Sequence, residues 1–438
     1  MKSTAQIATL IITVLLLAGC RADGWRQVVS EELDLSQTAY CCQLKLVQTE
    51  NKVFLALDHS EADAEPGSLI NLNGRTTPSM GDMAMFIMED VAVTPNERWY
   101  VVSTEGTIWV LDDQVWQLGP QPDYGGTLLG RYYRLLADPM KERLYLFWEA
   151  RPDLDEPYNI YGVQLIDDVW QPIGVNSNSQ SGLSNPEKHS MNVAVTSSSV
   201  GHLYVAYVEY ETRLTLGDPK NSDIMVKRWD GSLWEPVGRD GDVTGNVSQS
   251  IGEVHDPRIV VAETGVVYLS WLDNSNGNRS EIFMLRLVEN HWEELYPGSA
   301  GLAPVDMGHS TSWVFTGGYD LAMSPDGTPY LAWESQTDAD DATPIIYLRR
   351  FTGATWETVY KDLEAGQEFA ANSFSASRIG LVIAPDETVY LTWQSLEFHR
   401  RIMWETVEVI FPELLHPVFF YDTETFHNIR IEVRSYQP

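Results

Sequence analysis

The chain has 438 residues, with 29 Lys+Arg against 62 Asp+Glu and a formal charge of −33 at pH 7. Such acidity excludes the basic patches that phosphate backbones and anionic lipid headgroups require, so no nucleic-acid partner is expected. Yet 44% of residues are hydrophobic, with 15 Trp, 20 Tyr and 13 Phe, which excludes a disordered polyanion.

At the N-terminus Met1-Lys2 precedes an apolar run from Ile7 to Ala18, followed by Gly19-Cys20. This is the layout of a secretory signal, and the run is short of the roughly 20 residues a permanent membrane span needs. Leu17-Ala18-Gly19-Cys20 resembles the lipobox of bacterial lipoproteins. The resemblance implies cleavage of residues 1–19, lipidation of Cys20, a short tether over 20–24, and an extracytoplasmic protein anchored at the cell membrane or cell surface. Cys41 and Cys42 remain, as a vicinal disulfide or as two buried thiols. No further cysteine completes a tetrahedral sulfur set, and no metal or cofactor is expected.

Beyond the tether, one unit recurs. Leu321 to Trp333, Ile259 to Trp271 and Leu381 to Trp393 each read as an apolar strand, a turn and an aromatic-centred strand. The strand-centre aromatics are Phe54, Tyr100, Tyr145, Tyr204, Tyr268, Tyr330 and Tyr390, spaced by 46, 45, 59, 64, 62 and 60 residues. A second pair of strands follows in each unit, with Asp230-Gly231 as one hairpin turn. A Trp-x-x-aliphatic tetrad closes the units at Trp170, Trp234, Trp292 and Trp356, more loosely at Trp116. The seventh unit lacks this tetrad after Trp404, whereas Trp25-Arg26-Gln27-Val28 supplies one at the other end of the chain.

The pattern predicts an all-β fold, a seven-bladed β-propeller of four-stranded antiparallel blades over residues 25–411, with a C-terminal extension over 412–438. The last blade would be closed by the N-terminal strand of residues 25–29, with Ile429 to Val433 as the competing closure. The blade aromatics are expected as core between neighbouring blades.

Asp326-Gly327-Thr328-Pro329-Tyr330-Leu331-Ala332-Trp333, followed by Gly353-Ala354-Thr355-Trp356-Glu357, resembles the sialidase-like propellers with BNR-type repeats of secreted bacterial proteins. The closing Trp-Glu strands are also similar to tectonin-type lectin propellers. In the sialidase hairpin motif Ser and Asp stand where this chain has Lys227 and Trp229, and the Phe/Tyr-Arg-Ile-Pro motif is absent. The resemblance therefore implies the architecture and a glycan-binding role without catalysis; a sialidase-like glycoside hydrolase acting on acidic sugars is the alternative.

Ligands of propellers meet the mouth of the central channel, lined here by the polar loops entering each innermost strand. Arg134, Asn192, Arg258 and Asp320 occupy the position just before that strand, with Asp90 in the second unit and Arg378 close by in the seventh. Converging arginines form forks suited to a carboxylate. The alternative is that each pairs with Asp90, Asp256 or Asp320 and ties adjacent blades. His189, His255 and Trp313 complete the expected site, with Lys188 and His309 nearby. For a hydrolase, Tyr132, Tyr133, Tyr319, Glu253 and Asp256 are the candidate groups. Asp273 to Asn278 and Asp338 to Asp341 are oxygen-rich loops without the spacing of a calcium loop. An extracellular glycan or an envelope protein is the expected partner of a monomeric chain.

Overall fold

The computed structural model describes residues 26–34, 44–49, 52–57, 68–71, 88–112, 115–125, 130–179, 182–210, 222–275, 281–296, 318–335, 345–362, 373–400 and 425–436. The signal segment, Cys20, Trp25, Cys41, Cys42, His309, Trp313, Asn276 to Asn278, Asp338 to Asp341 and Trp404 lie outside them.

Within the described residues the chain is all-β, with a single short 3-10 turn at Arg239–Gly241. β1 (Arg26–Asp34) comes first. The first sheet holds β2 (Leu44–Gln48), β3 (Val53–Leu57) and β4 (Ser68–Asn71). The second holds β5 (Met88–Val93), β6 (Trp99–Ser103), β7 (Ile108–Asp112) and β8 (Val115–Leu118). The third is β9 (Arg131–Ala137), β10 (Leu144–Ala150), β11 (Asn159–Ile166) and β12 (Val169–Pro172). The fourth is β13 (His189–Ser197), β14 (Leu203–Tyr210), β15 (Ser222–Trp229) and β16 (Trp234–Pro236). The fifth is β17 (Val254–Val261), β18 (Val267–Asp273), β19 (Glu281–Val288) and β20 (His291–Glu294). The sixth is β21 (Tyr319–Met323), β22 (Pro329–Ser335), β23 (Ile345–Phe351) and β24 (Trp356–Asp362). The seventh sheet pairs β25 (Ser373–Ile383), β26 (Val389–Arg400) and β27 (Thr425–Tyr436) with β1 in the order β25-β26-β27-β1.

All pairings are antiparallel meanders, and the first strands of the sheets follow one another in a cycle. β2 neighbours β5, then β9, β13, β17, β21 and β25 in turn, and β25 neighbours β2 again. Six apolar clusters each join two consecutive sheets, from the first and second to the sixth and seventh. The second strands of the second to sixth sheets are thus covered on both faces. For that reason β10 and β14 are buried along their whole lengths and read as nearly unbroken apolar runs. This arrangement is consistent with a β-propeller.

The seventh sheet departs from the boundaries read in the sequence. Thr425–Tyr436 is its third strand, paired from Val389↔Tyr436 to Arg400↔Thr425, instead of an extension beyond the ring. β1 pairs outside it, so both terminal segments considered as closing strands enter the sheet, side by side. The alternation of Ile429-Arg430-Ile431-Glu432-Val433 suits a strand with neighbours on both sides.

The repeat's aromatics have assigned work. All seven strand-centre aromatics are buried. In three sheets the tyrosine stands directly across from an arginine on the third strand: Tyr204 from Arg228, Tyr268 from Arg286, Tyr330 from Arg350. Each arginine then meets the glutamate following the closing tryptophan, Glu235 at 2.9 Å, Glu293 at 3.3 Å and Glu357 at 3.2 Å. The closing tryptophans work between sheets. Trp234 Nε1 donates to the carbonyl of Ile173 at 2.6 Å and Trp292 Nε1 to that of Val237 at 2.8 Å. Ile173 and Val237 are the aliphatic residues of the preceding tetrads, so these two tetrads offer the acceptor that the next tryptophan uses. Trp170 Nε1 bonds the Pro120 carbonyl in the same way at 2.8 Å.

Replacing Trp292 by Phe removes the donor and leaves the Val237 carbonyl buried without it. The expected cost is about 1–3 kcal/mol in unfolding free energy, measured by chemical denaturation. Trp170→Phe is expected to cost less, because Trp170 and Pro120 are only half-buried and water can replace the bond.

Candidate functional site at the inner-strand bulges

A bulge interrupts five of the inner strands near their entry ends, at Met88/Asp90, opposite Phe147/Glu149, at Met191/Ala194, at His255/Arg258 and at Ser377/Gly380. The extra residue turns its backbone into the left-handed region at Tyr132 (φ 50°), Asn192 (φ 59°) and Asp256 (φ 50°). Register then fixes the equivalences. Lys45, Asp90, Arg134, Ala194, Arg258, Asp320 and Gly380 all lie opposite the residue two beyond the strand-centre aromatic.

This corrects the position of Asn192. It shares the bulge site with Tyr132 and Asp256, and Ala194 stands where Arg134 and Arg258 stand; an inserted residue is invisible to counting along the sequence. The first sheet's member, Lys45, was not anticipated. Arg378 lies in β25 two residues before Gly380, and its side chain is outside the described ones.

The charges at this level are joined to one another. Lys45 Nζ meets the Asp90 carboxylate. Asp90, 3% exposed, accepts the amide of Val91 at 2.9 Å and, in the next sheet, that of Leu135 at 2.8 Å. Arg134 Nη1 lies 3.5 Å from Glu89 Oε1 and donates to the Tyr133 carbonyl at 3.0 Å. Arg258 repeats this arrangement, 3.7 Å from Asp320 Oδ1 and 3.1 Å from the Pro257 carbonyl. Asp320 accepts Leu321 N–H and, in the seventh sheet, Leu381 N–H, both at 2.9 Å. Burial raises the Asp320 pKa, and Arg258 opposes the rise. Two of the three arginines expected to converge on a ligand thus have carboxylate neighbours.

A denser group sits two or three residues nearer the entry ends of the inner strands. Arg131 Nε is 3.2 Å from Glu149 Oε2, and its guanidinium lies 4.0 Å over the Tyr158 ring and 5.2 Å over that of Tyr132. Glu149 has no exposed surface; its other oxygen takes the Asn192 amide at 2.5 Å. Asn192 Nδ2 reaches Asp256 Oδ1 at 3.1 Å, and the Tyr319 hydroxyl donates to the Asp256 carbonyl at 2.5 Å. His189 Nδ1 accepts the Tyr158 amide at 3.2 Å, and Lys188 Nζ meets Glu209 at 3.0 Å. His255 is half-buried in β17 opposite Leu272, and Glu253 is half-buried just before that strand.

Tyr132 is the one side chain of this group that stands half in solvent, 50% exposed. Asparagine and aspartate tolerate the left-handed backbone found at the other two bulges, whereas a bulky aromatic there is a true outlier. Sequence reading missed Arg131, Glu149 and Tyr158. A carboxylate placed directly after the tryptophan of an otherwise apolar strand, Leu144 to Ala150, was the available signal for Glu149.

Chemically, Glu149 positions Arg131. Burial lifts its pKa from an ordinary 4.5 to about 7, against the opposing pull of Arg131 and the Asn192 amide. Without exposed surface it does not reach a substrate. Asp273, from the oxygen-rich loop, accepts from the Ser250 hydroxyl at 3.0 Å and the Ser275 amide at 2.8 Å, as a turn anchor does.

No protein-family model matches the sequence, and no curated protein matches it either. Among solved structures, an α-L-arabinanase of Penicillium chrysogenum complexed with arabinobiose is similar at 11% identity. That alignment covers 93% of this chain and 98% of that one with a TM-score of 0.41. YCF48 bound to D1 peptide aligns at 14% identity over 93% and 97% with a TM-score of 0.43. The soluble aldose sugar dehydrogenase of Escherichia coli, in its apo-form, aligns at 13% over 76% and 92% with a TM-score of 0.36. Likenesses this distant carry no inference about activity or ligand.

Between about pH 4.5 and 7 the folded protein holds the Glu149 proton that the unfolded chain has released. This group's contribution to stability is therefore complete below 4.5 and lost as pH rises through 7. Unfolding free energies of the wild type and Glu149→Gln, measured across that window, are expected to differ by an amount that shifts with pH, the wild type losing more as pH rises.

Proposed function

We propose that this chain is a lipid-anchored, extracytoplasmic seven-bladed β-propeller of the sialidase-like, BNR-repeat type, and that its channel mouth binds an extracellular glycan without cleaving it. The observation that carries the reading is Tyr132. A left-handed bulky residue costs on the order of 1–3 kcal/mol, and it is kept where the aromatic ring stands half-exposed beside a fixed arginine. An exposed aromatic ring with a guanidinium over one face suits a sugar ring bearing hydroxyl or carboxylate groups. The burial of Glu149 and its place as a holder of Arg131 support binding without cleavage. Leu17 to Cys20 support the anchor.

The test is glycan binding by the full chain in detergent. Tyr132→Gly is expected to weaken binding at least tenfold while the unfolding midpoint holds or rises, since glycine adopts positive φ without strain. Arg131→Ala weakens it similarly; Arg134→Ala and Arg258→Ala weaken it less, and Arg378→Ala completes the series. Unchanged binding in Tyr132→Gly contradicts the assignment, and recognition of envelope protein in place of glycan overturns the ligand class. Fatty-acid labelling is expected in the wild type and absent in Cys20→Ala.

A further inference from the structure

Five hairpins join the third and fourth strands of the second to sixth sheets. They share one length, set by the pairs Leu111↔Trp116, Leu165↔Trp170, Trp229↔Trp234, Leu287↔Trp292 and Phe351↔Trp356. In the third to sixth sheets the residue two before the tryptophan therefore falls at the same count; it takes a left-handed backbone at Asp168 (φ 59°) and Asn290 (φ 67°), whereas in the sixth sheet the left-handed residue is Gly353 (φ 90°), one before Ala354. In two of them it serves an arginine of the preceding sheet, in one case the third-strand Arg228 and in the other Arg98, just before a second strand. Asp168 lies 2.9 Å from Arg98 Nη1, and Asn290 Oδ1 accepts from Arg228 Nη1.

In the sixth sheet that residue is Ala354, which has no oxygen to offer. The arginine it would serve is Arg286, the fifth sheet's counterpart of Arg228 by register with its tyrosine and glutamate. Arg286 borders a cavity of about 370 Å³, walled also by Tyr268, Asp326, Tyr330, Arg350 and Thr352.

We propose that this cavity is a second ligand site, and that it takes a small hydroxylated ligand bearing an amide oxygen, of the class of an N-acetylhexosamine. The amide oxygen stands on Arg286 where the Asn290 carboxamide stands on Arg228. A neutral amide suits the site better than a carboxylate. Arg286 and Arg350 already face Glu293 and Glu357, and Asp326 adds a further negative charge. The Ser324 hydroxyl and the Thr328 amide keep the Asp326 carboxyl below the usual carboxylate range, so it stays ionised and accepts from ligand hydroxyls. The volume, at the low end of small-molecule sites, accommodates one sugar ring with its acetamido group. This site lies among hairpins away from the inner-strand bulges and does not depend on the reading of the mouth.

Titration of the full chain with N-acetylglucosamine, glucose and glucuronate, followed by calorimetry or ligand-observed NMR, tests the proposal. Saturable binding of N-acetylglucosamine is expected, with the other two at least tenfold weaker. Arg286→Gln is expected to weaken it tenfold or more, as is Ala354→Asn, which places an amide next to the cavity-lining Gly353, and Tyr132→Gly to leave it unchanged. Circular dichroism checks the fold of both variants, and either one that folds decides. Absence of saturation, equal binding of glucose or glucuronate, or indifference to the folded variants overturns the proposal; loss of binding in Tyr132→Gly assigns the ligand to the mouth instead.

Discussion

The arrangement of sheets depends on a backbone amide of one inner strand being held by a carboxylate from the sheet before it. Asp90 takes Leu135 N–H, Glu149 takes Asn192 N–H and Asp320 takes Leu381 N–H. Asn192 carries the link onward to Asp256, the Tyr319 hydroxyl carries it from the Asp256 carbonyl to the sixth sheet, and Lys45 connects the first sheet to Asp90. Each apolar cluster joins only two sheets, and apolar burial has no direction. A buried carboxyl oxygen bonded to a backbone amide does have direction, so these bonds fix how far one sheet turns relative to the next.

Those bonds also explain how a strongly acidic chain uses its few cations. Arg131, Arg134, Arg228, Arg258, Arg286 and Arg350 all have carboxylate neighbours within or between sheets. The inner-strand arginines behave first as struts, and what is left for a ligand is whatever the struts hold in the open. The more exposed of these pairs, such as Arg350–Glu357, contribute little individually to stability. In the proposed site the value of Arg131–Glu149 lies in pre-orienting a donor beside the Tyr132 ring, which lowers the ordering cost of binding.

Much of the architecture was legible in the sequence because it repeats. The strand-centre aromatics and the closing tetrads recur at visible spacings, and each recurrence reflects one packing need that every sheet shares. Three features were not legible for physical reasons. A bulge adds a residue without changing residue chemistry, so Asn192 was aligned with the wrong partners. Glu149 is a single charge in an apolar strand, and its role exists only through Arg131 and Asn192, far off in sequence. Thr425–Tyr436 was read only as the alternative closure at Ile429 to Val433, because its pairing with β26 across the stretch 401–424 leaves no local trace of register. The hairpin position of Ala354 was readable in principle, yet it acquires meaning only beside Asn290 and Asp168.

The central claim is that carboxylates at the inner strands hold the next sheet's amides. Residue-resolved hydrogen exchange in Asp90→Ala and Asp320→Ala tests it most directly. The account predicts that Leu135 loses protection in the first variant and Leu381 in the second, each without matching loss in the other interface. Unaltered protection at both amides would contradict it and return Arg134 and Arg258 to the role of ligand-binding forks.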